Sequence, residues 1–332
     1  MPPVYSLVIP IFNEEAVLPL LLRRLDALLD ALDAPAEAIL VDDGSLDASP
    51  IVLEAKARSD ARYRFVRLSR NFGHQIAITT GMERASGHAV IVMDADLQDP
   101  PEVALDMIAK WKEGFEVVYA ERLTRDGESR FKRMTADLFY RLLGRMSEID
   151  IPRNVGDFRL VDRKALDAFL AMPERDRFVR GMFAWIGFRQ AVVKFHRPSR
   201  AAGETKYSLA KMARLAASGV VSFSDAPLRL ALWTGLTISS LAILYGLWVI
   251  AMWALNADFE RGWSSIVVLV TFIGGANMLM TGIMGVYVGR IYAEVKRRPL
   301  YVVDRTVGFT TSAMPVRERA ENPPPRTQGL GR

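Results

Sequence analysis

Residues 68–102 read LSRNFGHQIAITTGMERASGHAVIVMDADLQDPPE. The stretch opens at the end of an apolar run, Arg64–Leu68, and passes through helical spacing over Gln75–Ala85. It returns to a β-branched run, Ala89–Met93, and then enters a second helical pattern, Pro101–Lys112. The same alternation extends on both sides. Upstream lie a strand at Val4–Phe12, a helix over Glu14–Leu32 and a strand at Ala38–Val41; downstream a fifth strand covers Glu116–Ala120. In the first helix Val17, Leu18, Leu21, Leu22, Leu25, Leu28, Leu29 and Leu32 form one apolar stripe. Strands alternating with helices predict an α/β fold, a mainly parallel sheet flanked by helices. Ligands of such sheets bind beyond the carboxyl ends of the strands.

Polar residues cluster at those ends. The first strand runs into Asn13-Glu14-Glu15, the second into Asp42-Asp43-Gly44-Ser45 and the fourth into Asp94-Ala95-Asp96-Leu97-Gln98-Asp99. Acidic strand ends repel a phosphate unless a divalent cation lies between them. In extended chain Asp94 and Asp96 point to one side, so the pair can share a hard cation, Mg²⁺ or Mn²⁺, that also binds diphosphate oxygens. Asp99, before Pro100-Pro101, reads as a helix N-cap, and Asp43-Gly44 is compatible with a simple turn. There is no GxGxxG and no GxxxxGK[ST], so dinucleotide and P-loop readings lose their main support.

Composition narrows the classes further. The 332 residues carry 43 Lys and Arg against 38 Asp and Glu, a net charge of +5, and half are apolar. That excludes a chain disordered as a whole. With no cysteine there is no disulfide, thiolate metal site or cysteine nucleophile. His74, His88 and His196 have no helical ligand spacing, which argues against zinc. The N-terminal residues lack a basic region followed by an apolar one, so no signal peptide is expected.

Two stretches, Leu230–Ala257 and Gly262–Gly289, contain no charged residue. About 20 residues at roughly 1.5 Å each cross a bilayer core, so both are long enough to span. Trp233, Trp248, Trp253 and Trp263 include residues near the expected interfaces. The loop Asp258–Arg261 nets −1, whereas Arg290, Glu294, Lys296, Arg297 and Arg298 net +3. The positive-inside rule then predicts a hairpin with both termini cytoplasmic. Residues 207–223 place Leu209, Met212, Ala213, Ala216 and Val220 on one helical face. This reads as an interfacial helix, with packing on the globular domain as its rival. The expected division is a cytoplasmic catalytic domain over 1–205, an amphipathic region over 206–226, a two-helix transmembrane hairpin over 227–298 and a largely disordered tail over 299–332.

IPIFNEE (9–15), VDDGS (41–45) and DADLQDPPE (94–102), in this order, resemble glycosyltransferase family 2 with the GT-A fold. With residues 68–102, VGDFRLVDR (155–163), RPSRAAGETKYSLAKM (197–212) and two C-terminal spans, the chain resembles the polyprenyl-phosphate glycosyltransferases. These include bactoprenol glucosyltransferases and dolichol-phosphate mannose synthases. The resemblance covers about 4–300. It implies a membrane enzyme that moves a hexose from a nucleotide-diphosphate sugar to polyprenyl phosphate with inversion. UDP-glucose is the first candidate donor and GDP-mannose or a modified sugar the alternative. It further implies a homo-oligomer in the bacterial inner membrane. Nucleic acid is not an expected partner, since acidic strand ends beside membrane spans suit none.

Roles follow from the matching positions. Pro10, Phe12, Glu14 and Asp42 would line the nucleoside pocket, with Asp43 beside the ribose or the metal. Asp94, Asp96 and Gln98 would hold the cation, and Asp96 counts with Asp157 among the catalytic residues. Arg122, Arg130 and Arg133 would receive the lipid phosphate, because guanidinium donates paired hydrogen bonds. Arg200 and Lys206 would close over the donor phosphates. Asp157 is open between a base, an orienting group and a structural partner of Arg159, because an acceptor phosphate is already a nucleophile at neutral pH. Two further readings are weighed: a processive polysaccharide synthase, whose Gln-x-x-Arg-Trp motif is absent, and a membrane-anchored nucleotide-sugar-binding scaffold without catalysis.

Overall fold

The structure, a computed structural model, describes residues 2–123, 155–175, 177–195, 226–254 and 262–309. The chain divides into two compact units.

The first unit is built on an eight-stranded sheet. Its strands are β1 (Tyr5–Ile11), β2 (Ala36–Asp42), β3 (Tyr63–Leu68), β4 (Ala89–Val92), β5 (Val117–Arg122), β6 (Val155–Asp162), β7 (Gln190–Phe195) and β8 (Val303–Val307). They lie in the order β7-β5-β6-β4-β1-β2-β3-β8. The pairs β1–β2, β1–β4, β2–β3 and β5–β7 are parallel; β4–β6, β5–β6 and β3–β8 are antiparallel. All seven residues of β1 are buried, as expected of a central strand covered on both faces.

The helices are α1 (Leu18–Ala31), α2 (Ser49–Ser59), α3 (His74–Arg84), α4 (Val103–Lys112), α5 (Arg163–Ala171) and α6 (Val179–Trp185). Helix α1 sets Leu18, Leu21, Leu25, Leu28 and Leu29 into the core. Helix α2, unexpected from the sequence, buries only Pro50, Leu53 and Ala57 among its apolar side chains, too few for a visible stripe. The expected cap at Asp99 is not found. Helix α4 starts at Val103, with Glu102 in the cap position, and a turn from Pro100 O to Val103 N precedes it. Asp99 itself is fully buried.

The tail departs from expectation at its start. Residues 302–307 return to the sheet, and β8 runs antiparallel along the β3 edge that would otherwise stand open. Unpaired strand edges are costly to leave bare. Gly308 closes this segment at φ +83°, where a side chain would press on the Tyr63 carbonyl 2.8 Å away.

The second unit holds α7 (Ala226–Ala254) and α8 (Trp263–Val295). Within α8, Phe272–Val295 is long and apolar enough to cross a membrane, with a mean hydropathy of 1.3 and no buried share. Apolar side chains such as Leu236, Leu244, Phe272 and Met278 are exposed along both helices. The expected interfacial helix, apart from Ala226 at the start of α7, and the tail beyond 309 lie outside the described residues.

Candidate active site

The site is assembled from the carboxyl ends of β1, β2 and β4, the loop before α3, and β6. Loops after β1 and β2 are tied together. The Asn13 amide donates to Ser45 Oγ at 2.9 Å, the Leu46 amide to Asn13 Oδ1 at 2.8 Å, and the Glu14 amide to Ser49 Oγ at 3.2 Å. Asn13 takes φ 53° to make this turn, a conformation asparagine tolerates better than most residues. Asp43 accepts from the amides of Phe72 at 2.7 Å and Gly73 at 2.9 Å. Its carboxylate thereby anchors the loop that leads into α3. Gly44, at φ +72°, passes so close to this loop that a Cβ would lie 2.4 Å from the Arg70 carbonyl carbon.

Between these loops lies a cavity lined by Pro10, Ile11, Phe12, Asp43, Asn71, His74 and Ala77. Pro10, Phe12 and Asp43 were expected there. Asp42 is not among the lining residues. It is fully buried, accepts from the Ser45 amide at 3.1 Å and faces Arg67 Nε at 3.4 Å. Burial pushes the carboxyls of Asp42 and Asp43 up from their ordinary values. Glu14 also lies outside the lining, part-buried at the foot of α1.

Asp94 and Asp96 stand just past β4. Leu97, between Asp96 and Gln98, is held at φ 57°, a strained conformation for leucine. The turn returns the Gln98 amide to Asp96 Oδ1 at 3.1 Å, so Gln98 meets Asp96 through its backbone. Asp94 Oδ1 is buried without a hydrogen bond, and His74 Nε2 lies 3.3 Å from it. A buried carboxylate oxygen in that state suits a hard cation. Among the described residues no three His, Asp or Glu side chains gather as a metal cage. Two carboxylates are nevertheless what Mg²⁺ takes when substrate phosphates supply the remaining ligands.

Asp157, on β6, is brought to the His74 ring that also faces Asp94 by the antiparallel insertion of β6 between β4 and β5. Arg180 donates to it twice, from Nε at 3.0 Å and Nη2 at 3.2 Å. Arg159 donates at 3.0 Å, Gln75 at 3.2 Å, and His74 Nε2 lies 3.3 Å away. Arg159 is fully buried, with its guanidinium over the rings of Tyr119 and Phe183. Burial alone would raise the Asp157 carboxyl, but Arg180, His74 and Arg159 together hold it well below the usual range. Partial burial disfavours the charged His74 ring, yet Asp157 and Asp94 outweigh it and raise its pKa well above the ordinary value.

His74, Gln75 and Arg180 were not singled out from sequence. His74 and Gln75 sit inside the quoted NFGHQ segment, a signal that could have found them. Arg180 lies in a stretch with no motif. Arg122 ends β5, while Arg130, Arg133, Arg200 and Lys206 lie outside the described residues.

Residues 6–170 match the family described as Glycosyl transferase family 2. The chain is 47% identical to the uncharacterized glycosyltransferase YkcC of Bacillus subtilis (strain 168), over 92% of this chain and 94% of that one. It is 39% identical to the prophage bactoprenol glucosyl transferase homolog of Escherichia coli (strain K12), over 90% and 98%. It is also similar to a solved glucosyl-3-phosphoglycerate synthase from Mycobacterium tuberculosis, at 20% identity and a TM-score of 0.46, covering 66% and 79% of the two chains. Identity of 39–47% to these two bacterial relatives along nearly the whole of both chains, with the family match over 6–170, makes the protein an enzyme that belongs to glycosyl transferase family 2.

Proposed function

We propose that the enzyme transfers a hexose, with UDP-glucose as the first candidate donor, to polyprenyl phosphate at the cytoplasmic face of the membrane, with inversion. The observation that carries this reading is the cavity at the ends of β1 and β2 opening beside Asp94, in a chain 39% identical to proteins named bactoprenol glucosyl transferase. The nucleoside would sit against Pro10, Phe12 and Asp43. Asp94 and Asp96 would hold Mg²⁺ or Mn²⁺, which when bound neutralises the diphosphate as it leaves.

The acceptor phosphate needs no strong base, because it is already ionised at neutral pH. Asp157, clamped by two guanidinium groups, is poorly suited to take a proton and well suited to orient groups around it. Arg122, Arg130 and Arg133 remain the proposed phosphate ligands, with Arg200 and Lys206 on the donor side. Purified enzyme with undecaprenyl phosphate and labelled UDP-glucose, UDP-N-acetylglucosamine and GDP-mannose tests the reading. A lipid-linked monosaccharide from UDP-glucose is expected. Transfer from none of the three, or donor binding without any transfer, overturns it and favours the scaffold.

The pairing of β8 with β3 supports the hairpin: residues on both sides of the two long helices belong to one sheet, as an even number of crossings, with α7 as the partner span of α8, would require. A reporter fused at the C-terminus is expected to read as cytoplasmic. A periplasmic signal there would overturn the hairpin and the location of the site.

A further inference from the structure

The chain does not simply end after α8. Pro299 follows a few positions beyond Val295, and the segment 299–308 wraps one flank of the sheet unit as a strap. It grips three elements. The Tyr301 hydroxyl lies between Glu83 and Arg84 of α3, donating to the first and accepting from Arg84 Nη1 at 2.7 Å. Arg305 pairs with Glu54 of α2 at 3.1 Å. The Val302 carbonyl accepts from the Ser69 amide at 2.9 Å, where β3 runs out into the loop that carries Asn71 and leads to His74.

Arg67 completes the connection. Its Nε lies 3.4 Å from Asp42 Oδ2 on one side and 3.9 Å from Asp304 Oδ2 on the other. Asp42 is fully buried, and that oxygen has no hydrogen bond. The other oxygen holds the Ser45 turn, and Ser45 Oγ in turn accepts from the Asn13 amide. The strap therefore reaches both walls of the cavity, the 69–73 loop directly and the 43–45 turn through Arg67.

We infer that the segment 299–308 positions the donor pocket, and that Arg67, set between Asp304 and Asp42, is its positioning residue. This rests on the reading of the cavity as a nucleotide-sugar site. A buried carboxylate facing a guanidinium needs that charge in place to keep its orientation. The strap would then link nucleotide binding to the place where the chain leaves α8.

The test is titration of the full-length, detergent-solubilised enzyme with UDP and with GDP, alongside thermal midpoints and donor KM against kcat. Arg67→Gln is expected to weaken nucleotide binding about tenfold, the scale of one charge-assisted contact. Asp304→Asn removes a half-exposed partner and is expected to weaken it about threefold. Arg67→Lys is expected to restore most of the affinity. In each case donor KM rises while kcat and the acceptor KM hold. Glu54→Gln loosens the strap at α2 but leaves Arg67, Asp304 and Asp42 in place, and is expected to weaken nucleotide binding less than Asp304→Asn does. If Arg67→Gln and Asp304→Asn lower the midpoint yet bind nucleotide like the wild type, the strap is a fold staple only and the inference fails. If the wild type binds neither nucleotide, the reading of the cavity falls, and the inference with it.

Discussion

Asp94→Asn and Asp96→Asn are each expected to cut sugar transfer about a hundredfold or more while the fold stays intact. A cation bridging carboxylates and a leaving diphosphate contributes several kcal/mol to the transition state, and about 1.4 kcal/mol is a factor of ten in rate. An amide in place of either carboxylate keeps the size and shape of the side chain. Asp94 Oδ1 has no hydrogen bond, and its close neighbour is the half-exposed His74 ring. Asp96 organises a local turn through the Gln98 amide, a bond that asparagine can keep accepting. Labelled-donor assays with and without chelator, beside thermal midpoints of the variants, check this. Full activity in excess chelator, or in the Asp94→Asn/Asp96→Asn double variant, would remove the metal from the proposed chemistry.

Asp157→Asn is expected to act first on stability. Arg159 has no exposed surface, and its guanidinium is buried whether or not its partner carries charge. Breaking a buried pair from one side costs about 3–5 kcal/mol. Arg180, part-exposed, can turn to water and adds less. The pH dependence has a definite sign. The folded carboxyl is depressed, so its contribution is fully present above the unfolded-state value near 4 and is lost as pH falls through the folded value below that. The gap between wild type and Asp157→Asn should therefore be wide at neutral pH and close only in strong acid. Unfolding midpoints of the two proteins across pH measure it. Catalysis gives the second readout. If Asp157 orients rather than deprotonates, Asp157→Asn keeps part of the wild-type turnover, because the amide can still hold its neighbours in place. An Asp157→Asn variant as stable as the wild type but without measurable transfer would make Asp157 the base.

Much of the site was legible because strand-end chemistry is local. Asp94 and Asp96 can be placed from one strand and the residues that follow it, and Pro10, Phe12 and Asp43 from two more. Asp42 shows the limit. Neighbouring residues on a strand face opposite ways, so of the pair Asp42-Asp43 only Asp43 lines the cavity, and the sequence does not say which. Asp99 shows another. An acid before two prolines has the composition of a cap, but the helix starts one turn later and the carboxylate is buried instead.

The sequence by itself determined the strands of residues 4–122 and the helices between them other than α2, the acidic residues at the strand ends, and the long apolar stretches near the C-terminus. These depend on periodicity and composition over one or two dozen residues. Only the tertiary structure decided that β6 runs antiparallel between β4 and β5, carrying Asp157 to His74, and that Arg180 closes on it from α6. It alone placed the strap after α8 against β3 and set Arg67 between two acids. Strand partners and ion pairs are chosen by distance in space and by the cost of leaving an edge or a charge uncompensated, and neither quantity is written in the spacing of residues along the chain.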